Sequence, residues 1–235
     1  YESIHRFIWL RQFFSQNEIE QDKVLKIEKI IKYWFYAYKI DKRFNNNLIK
    51  QSYTASERVV NVIYFFIRTE RKMPIHIRKQ LDETIISISD NLEFYDYGYG
   101  NHLINNLRAI ICYSLYCKND KILGQIVPEF EKYLNNFIDQ GCTKDCSTHY
   151  HLLVCFWIYD MKYFNRFYQL DKLDYLLNNY FEMLINEARS LYNDQKNTFP
   201  LLGDISPDYT PAYLTTMIVN EKFKMDNVSI HNLYK

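Results

Sequence analysis

A chain of 235 residues holds one large domain or two small ones, at roughly 150 residues per domain, and residues 1–235 read here as a single domain. Lys and Arg total 29 against 28 Asp and Glu, a net charge of +1, which lacks the basic excess of a sequence-independent nucleic-acid binder. A hydrophobic share of 48% with 17% aromatics excludes a disordered tail, and 5 Gly with 5 Pro exclude collagen-like and low-complexity chains.

So few breakers favour long helices over many short strands. Apolar residues recur at intervals of three and four along the whole chain, the helical period. Ile4, Phe7, Ile8 and Phe14 mark a first short helix; Val24, Ile27, Ile30, Ile31, Trp34, Phe35 and Tyr38 mark a long second one. The Asn45-Asn46-Asn47 run reads as a loop. Thr54 then reads as an N-cap, with Glu57 three residues on completing a capping box, and Val59, Val60, Ile63 and Phe66 give that third helix its buried stripe. Pro74 opens a fourth, carrying Ile77, Leu81, Ile85, Ile88 and Leu92. An aromatic and glycine turn, Tyr95-Asp96-Tyr97-Gly98-Tyr99-Gly100, leads to a fifth with Leu103, Leu107, Ile110, Ile111 and Leu115. Asn119-Asp120 breaks the pattern. A sixth helix, with Ile122, Ile126, Phe130, Leu134 and Phe137, is expected to end at Gly141 as a C-cap. A seventh begins near Ser147 and an eighth spans about 173–192. Residues 198–211 form a loop holding three of the prolines, and a short ninth helix follows. No strand-period segment and no fixed-period repeat stands out. The pattern predicts an all-α fold of antiparallel helix hairpins, closed into a toroid or opened as a solenoid.

No uncharged apolar run reaches the about 18 residues of a membrane span. A chain that starts Tyr1-Glu2-Ser3, with neither Met nor signal-peptide pattern, reads as a fragment or a processed form. The five cysteines, Cys112, Cys117, Cys142, Cys146 and Cys155, cannot all pair. Cys142 and Cys146 with His149 and His151 would make a Cys/Cys/His/His zinc set. Two short-range pairs on one turn of chain close poorly around a tetrahedral ion, so small buried or half-buried thiols are the preferred reading and no metal is assigned.

Polar groups gather at helix starts. In Gly98-Tyr99-Gly100-Asn101-His102, two glycines allow a tight turn, and Asn101 and His102 fall in a first helical turn where free N–H groups favour an anion. Asn105 and Arg108 follow on the same face as Asn101. Read alone, the cluster favours a plain N-cap for Asn101 and a satisfied surface group for His102, since Asn leads the N-cap ranking. The second cluster, Asp145 to His151, opens another helix with Ser147 as its cap; the third, Gly203 to Asp208, lies in the proline-rich loop. None of the three carries a nucleophile beside its base, and carboxylates are too sparse for a glycosidase pair. Asn, His and Tyr suit β-elimination from a uronic acid: donors at a positive helix end neutralise the sugar carboxylate, acidifying the C5 proton, and a Tyr or His moves protons. This chemistry calls for no cofactor. A free Tyr, with its pKa of about 10, needs nearby positive charge or donors before it acts as a base.

These segments carry a resemblance. Thr54-Ala55-Ser56-Glu57-Arg58-Val59-Val60-Asn61 resembles the Ser-Glu-Arg-apolar-apolar-Asn helix of heparinase II/III-like polysaccharide lyases. Gly100-Asn101-His102-Leu103-Ile104-Asn105-Asn106 resembles their Gly-Asn-His-Leu-x-Glu-Asn segment, and Gly141 followed by Asp145 to His151 resembles their Gly then Glu-x-Ser-Pro-x-Tyr-His. Gly203 to Asp208 looks like their Gly/Asn-Asp-Ser loop. In order, the four cover about residues 50 to 210. The resemblance implies an incomplete (α/α) toroid followed, in full-length members, by an antiparallel β-sandwich that supplies a further catalytic His. It implies eliminative cleavage of an acidic polysaccharide, and a periplasmic or secreted location. Asn101 would neutralise the uronate with His102 beside it. Tyr150 would be the acid and is a candidate for the base. Arg58, Asn105, His151 and Asp204 would contact substrate or support the site. The family's Glu after Asn-His is Asn105 here, its Glu before the Ser is Asp145, and its Pro is Thr148. The alternative is a non-catalytic helical domain that binds glycan or a partner through its aromatic side chains, 22 Tyr and 3 Trp among them.

Overall fold

The computed structural model describes residues 2–14, 20–41, 47–94, 100–193, 195–196, 198–206 and 208–224. The elements are α1 (Glu2–Arg6), α2 (Trp9–Phe14), α3 (Gln21–Ile40), α4 (Asn47–Lys50), α5 (Ser52–Arg68), α6 (Ile75–Asp90), α7 (Asn101–Cys117), α8 (Asp120–Phe137), β1 (Ile138–Asp139), β2 (Cys142–Thr143), α9 (Thr148–Tyr168), α10 (Asp171–Leu191) and α11 (Pro211–Lys224). The expectation of an all-α chain holds for the described residues, apart from the two-residue hairpin of β1 and β2.

Two kinds of helix follow from two burial patterns. In α6 only Ile77, Leu81, Ile85 and Ile88 are buried, and in α8 only Leu123, Val127, Phe130, Leu134 and Phe137, the one-sided stripe of a helix resting on a core. Burial in α5 instead runs unbroken from Ser52 to Ile63, and α7 and α9 are similarly enclosed. These three pack side by side as an inner row, with α6, α8 and α10 against their outer side. Direction is set by side-chain pairs. Tyr53 meets His102 and Tyr64 meets Tyr163, so α5, α7 and α9 all begin at one end. Tyr113, late in α7, donates to Arg78 O, early in α6, at 3.4 Å, and His151, early in α9, bonds Leu184 O, late in α10, so the outer helices run the opposite way. The remaining flank of the inner row is covered by α1 and α2 on α5 and by α11 on α9.

Several local readings change. The first helix is two, broken at Phe7, which has φ +57°. Thr54 lies inside α5 and accepts from Arg6 Nε at 3.1 Å, so it is no N-cap. Gly141 does not end α8; its φ of +88° turns the β1–β2 hairpin. Asn47 starts α4, while Asn45, Asn46 and the Tyr95 to Tyr99 turn lie outside the described residues. Asn119 caps α8 by accepting from Ile122 N at 3.2 Å, and Ser147 caps α9 by accepting from Tyr150 N at 3.2 Å, as their short polar side chains favour.

Where inner helices touch, the core is ionic. Arg108 donates to Glu57 Oε1 at 2.7 Å, to Asn105 Oδ1 at 2.6 Å and to Asp160 Oδ2 at 2.7 Å. Arg11 grips both oxygens of Asp160, at 2.8 and 2.9 Å, and donates to Asn61 Oδ1 at 2.6 Å. Glu57 also accepts from Trp157 Nε1 at 3.1 Å and Tyr209 OH at 2.9 Å. The side chains of Glu57 and Arg108 have no exposed surface. Charges so far from water persist only when fully paired, so Glu57 belongs to this cluster and not to a capping box.

Candidate active site

The shared starting end of α5, α7 and α9 collects the accessible polar residues. Gly100 precedes α7 in extended conformation, so Asn101 and His102 occupy the first turn. Asn101 is half-buried, and its side chain has no partner among the described residues. The His102 ring lies 4.5 Å from the Tyr53 ring, and its Nδ1 is 3.5 Å from Glu93 Oε1. Tyr53 is overlaid by the Arg6 guanidinium at 4.9 Å, and Arg6 pairs with Asp208 at 2.5 Å.

At the start of α9, Tyr150 is half-buried. The incoming loop is pinned beside it. Ser147 Oγ donates to Asp204 O at 2.6 Å, Thr148 N to Leu202 O at 3.0 Å, and Leu202 N to Thr148 Oγ1 at 3.1 Å. Gly203, at φ +74°, sits so close that a Cβ would fall 2.9 Å from Cys146 O. Any L-residue there meets both a clash and a strained backbone. Burial, and then the carboxylates of Asp204, Asp145 and Asp208, push the Tyr150 phenol up. Asp145 is exposed as a residue, yet partial desolvation of its carboxyl raises it to about 6 while nearby His102 opposes the rise; solvent at this position tempers the shift. Asp145 is thus within electrostatic reach of both His102 and Tyr150.

Asn101, His102, Tyr150 and exposed Asp204 therefore share one end of the helix array. Arg58, Asn105 and His151 do not reach solvent. Arg58 is 2% exposed, donates to His5 O at 3.3 Å and Ile49 O at 3.1 Å, and lies over Trp34 at 4.9 Å. Asn105 is spent on Arg108 and on Tyr53 O at 3.4 Å, and His151 on Leu184 O at 2.9 Å. None of the three is available to a substrate, and all three are reassigned to the interior. Among the described residues no cation acts on Tyr150 to make it a base; burial and the neighbouring carboxylates keep its proton on. Cys112 and Cys155 are buried and Cys117 is half-buried, but Cys142 and Cys146 are exposed, which corrects the expectation of enclosed thiols for that pair. Among the described residues no group of His, Cys, Asp or Glu is arranged to hold a metal, and no helix is long and apolar enough to cross a membrane. Sequence reading missed Tyr53, Glu93 and the Arg6–Asp208 pair, whose partners lie far away along the chain. Compared with family models, curated proteins and solved structures, the chain finds no match.

Proposed function

We propose that this chain is the helical part of a polysaccharide lyase, its array forming part of an (α/α) toroid, acting on a uronic-acid-containing glycan. What supports this reading is that α7 and α9 begin at the same end of the array, with Asn101 and His102 in the first turn of one and Tyr150 in the first turn of the other, where unpaired helical N–H groups favour an anion. The motif resemblance supports it. Asn101 and the α7 N-terminus stabilise the charge that develops on the sugar carboxylate. His102 takes the C5 proton; the C5–H electrons form the C4–C5 double bond, and the C4–O bond breaks. Tyr150, kept protonated by burial and then by its acidic neighbours, gives its proton to the leaving oxygen. Proton exchange with water resets both groups. Recognition is short-ranged, because the exposed carboxylates of Asp145 and Asp204 repel a polyanion at a distance.

The test is ultraviolet absorbance of the unsaturated product on a panel of polyuronates, with Tyr150→Phe compared to the parent. Loss of turnover with binding nearly intact is expected, since only a hydroxyl is removed; unchanged turnover rejects the assignment. The acidic ring around Tyr150 favours one second reading, a domain that holds a less charged glycan through aromatic stacking without chemistry. Binding with no unsaturated product would select it.

A further inference from the structure

We propose that the outer face of α3 is a docking surface for an anionic lipid bilayer, on which the helix lies flat without crossing it. One face of α3 is spent on the fold. Val24, Ile27, Ile31, Trp34 and Phe35 are buried, and the Trp34 ring packs on Phe7. The opposite face carries a second stripe. Leu25, Lys29, Tyr33, Tyr36 and Ile40 follow at intervals of four, four, three and four, so they line up along one side over about 22 Å of helix. All five are exposed, Tyr33 at 73% and Tyr36 and Ile40 at 60% each. Lys26 and Ile30 flank the stripe on one side and Lys39 on the other, and these too are exposed. The acid within this stretch, Glu28, is buried and paired with Lys32 and Arg71; exposed acid enters α3 at Asp22, before the stripe begins. Lys26, Lys29 and Lys39 have no ion pair among the described residues.

This composition selects the occupant. A contiguous apolar patch marks an interface. A second copy docked face to face would set lysines against lysines with no carboxylate between them. A polyuronate would meet the lysines and tyrosines but leave Leu25, Ile30 and Ile40 without a use. An anionic bilayer uses every group: the aliphatic side chains enter the acyl boundary, the tyrosines sit at headgroup level, and the lysines extend their stems to the phosphates. The inner half of α3 is fixed to the domain, so what remains is a broad, shallow face, which suits a plane better than a groove.

The surface is independent of the lyase reading and would hold the domain at a membrane whatever its chemistry. The test is co-sedimentation of the full chain with vesicles of phosphatidylglycerol or of phosphatidylcholine. Binding to the anionic vesicles, weakening as salt is added, and binding at least about tenfold weaker to the neutral ones are expected. Each lysine near the surface contributes about fivefold, so the triple variant Lys26→Gln, Lys29→Gln, Lys39→Gln should lower partitioning about a hundredfold. The variant Tyr33→Ser, Tyr36→Ser, Ile40→Ser should weaken it at least about tenfold at constant charge. A charge-matched control away from α3, with Lys121→Gln, Lys172→Gln and Lys196→Gln, should stay within about threefold of the parent. All these side chains are exposed, so the variants should melt with the parent, and circular dichroism checks that they do. No binding of the parent to phosphatidylglycerol, equal binding to phosphatidylcholine, or an equal loss in the control overturns the proposal. Self-association in sedimentation velocity that the Tyr33, Tyr36 and Ile40 variant abolishes assigns the face to a second copy and overturns it as well.

Discussion

His149 is 1% exposed, and neither ring nitrogen has a partner among the described residues. Buried polar atoms are nearly always bonded, so this imidazole is held neutral at a cost. Burial lowers its pKa, as it does for His5 and His151. The folded state then binds protons less readily than the unfolded state, whose histidines titrate near 6.5. Stability is therefore full above 6.5 and is lost as pH falls from there toward the depressed folded values. Asp145 acts in the opposite sense, because a raised carboxyl loses stability as pH rises, but its exposure makes that term small. Thermal melts should fall steadily on acidification below neutrality, with no ligand involved. His149→Leu removes one titrating group and one unbonded polar ring, so its melting temperature at pH 7 should equal or exceed the parent's and its acid loss should be smaller. A variant melting lower, with the same acid slope, would refute this.

At the level of elements, periodicity located nearly every long helix because an apolar stripe at three and four is a local property. It did not separate inner from outer helices. An inner helix is buried all round, and its polar residues look like surface or site residues until their partners are known. Ser56-Glu57-Arg58-Val59-Val60-Asn61 illustrates this. Glu57 reads as a capping-box residue and Arg58 as a substrate contact, yet both are sealed by groups from α1, α7, α9 and the segment before α11. The placement of Asn101, His102 and Tyr150 in first helical turns was legible because a helix start next to glycine or a capping Ser carries a local signal. The contacts of Glu93 with Asn106 and His102 were not, because they form only on folding. The ionic cluster gives the sharpest test. Arg108→Met keeps approximate volume but leaves Glu57 and one face of Asp160 without their cation, and should cost about 3–5 kcal/mol in urea unfolding. A change under about 1 kcal/mol would show that the carboxylates are hydrated or protonated.

For the whole molecule, the cover over the inner row is as important as the row itself. Residues 2–14 bring two cations, Arg6 and Arg11, to Asp208 and Asp160, and bury Phe7 and Leu10 beside them. Deleting 2–14 should abolish the cooperative thermal transition and dispersed amide NMR spectrum; a deletion that melts like the parent would mean that the cover is dispensable. The spacing of these partners along the chain has a consequence for biosynthesis. Arg11 and Asp160 are 149 residues apart, Glu57 and Tyr209 are 152 apart, and Arg6 and Asp208 are 202 apart. On the ribosome, Glu57 emerges long before the tyrosine that completes its shell, so the nascent interior remains open to water and to chaperones through most of translation. Folding is late and nearly all at once, and a messenger truncated ahead of Tyr209 yields a polypeptide for the proteases.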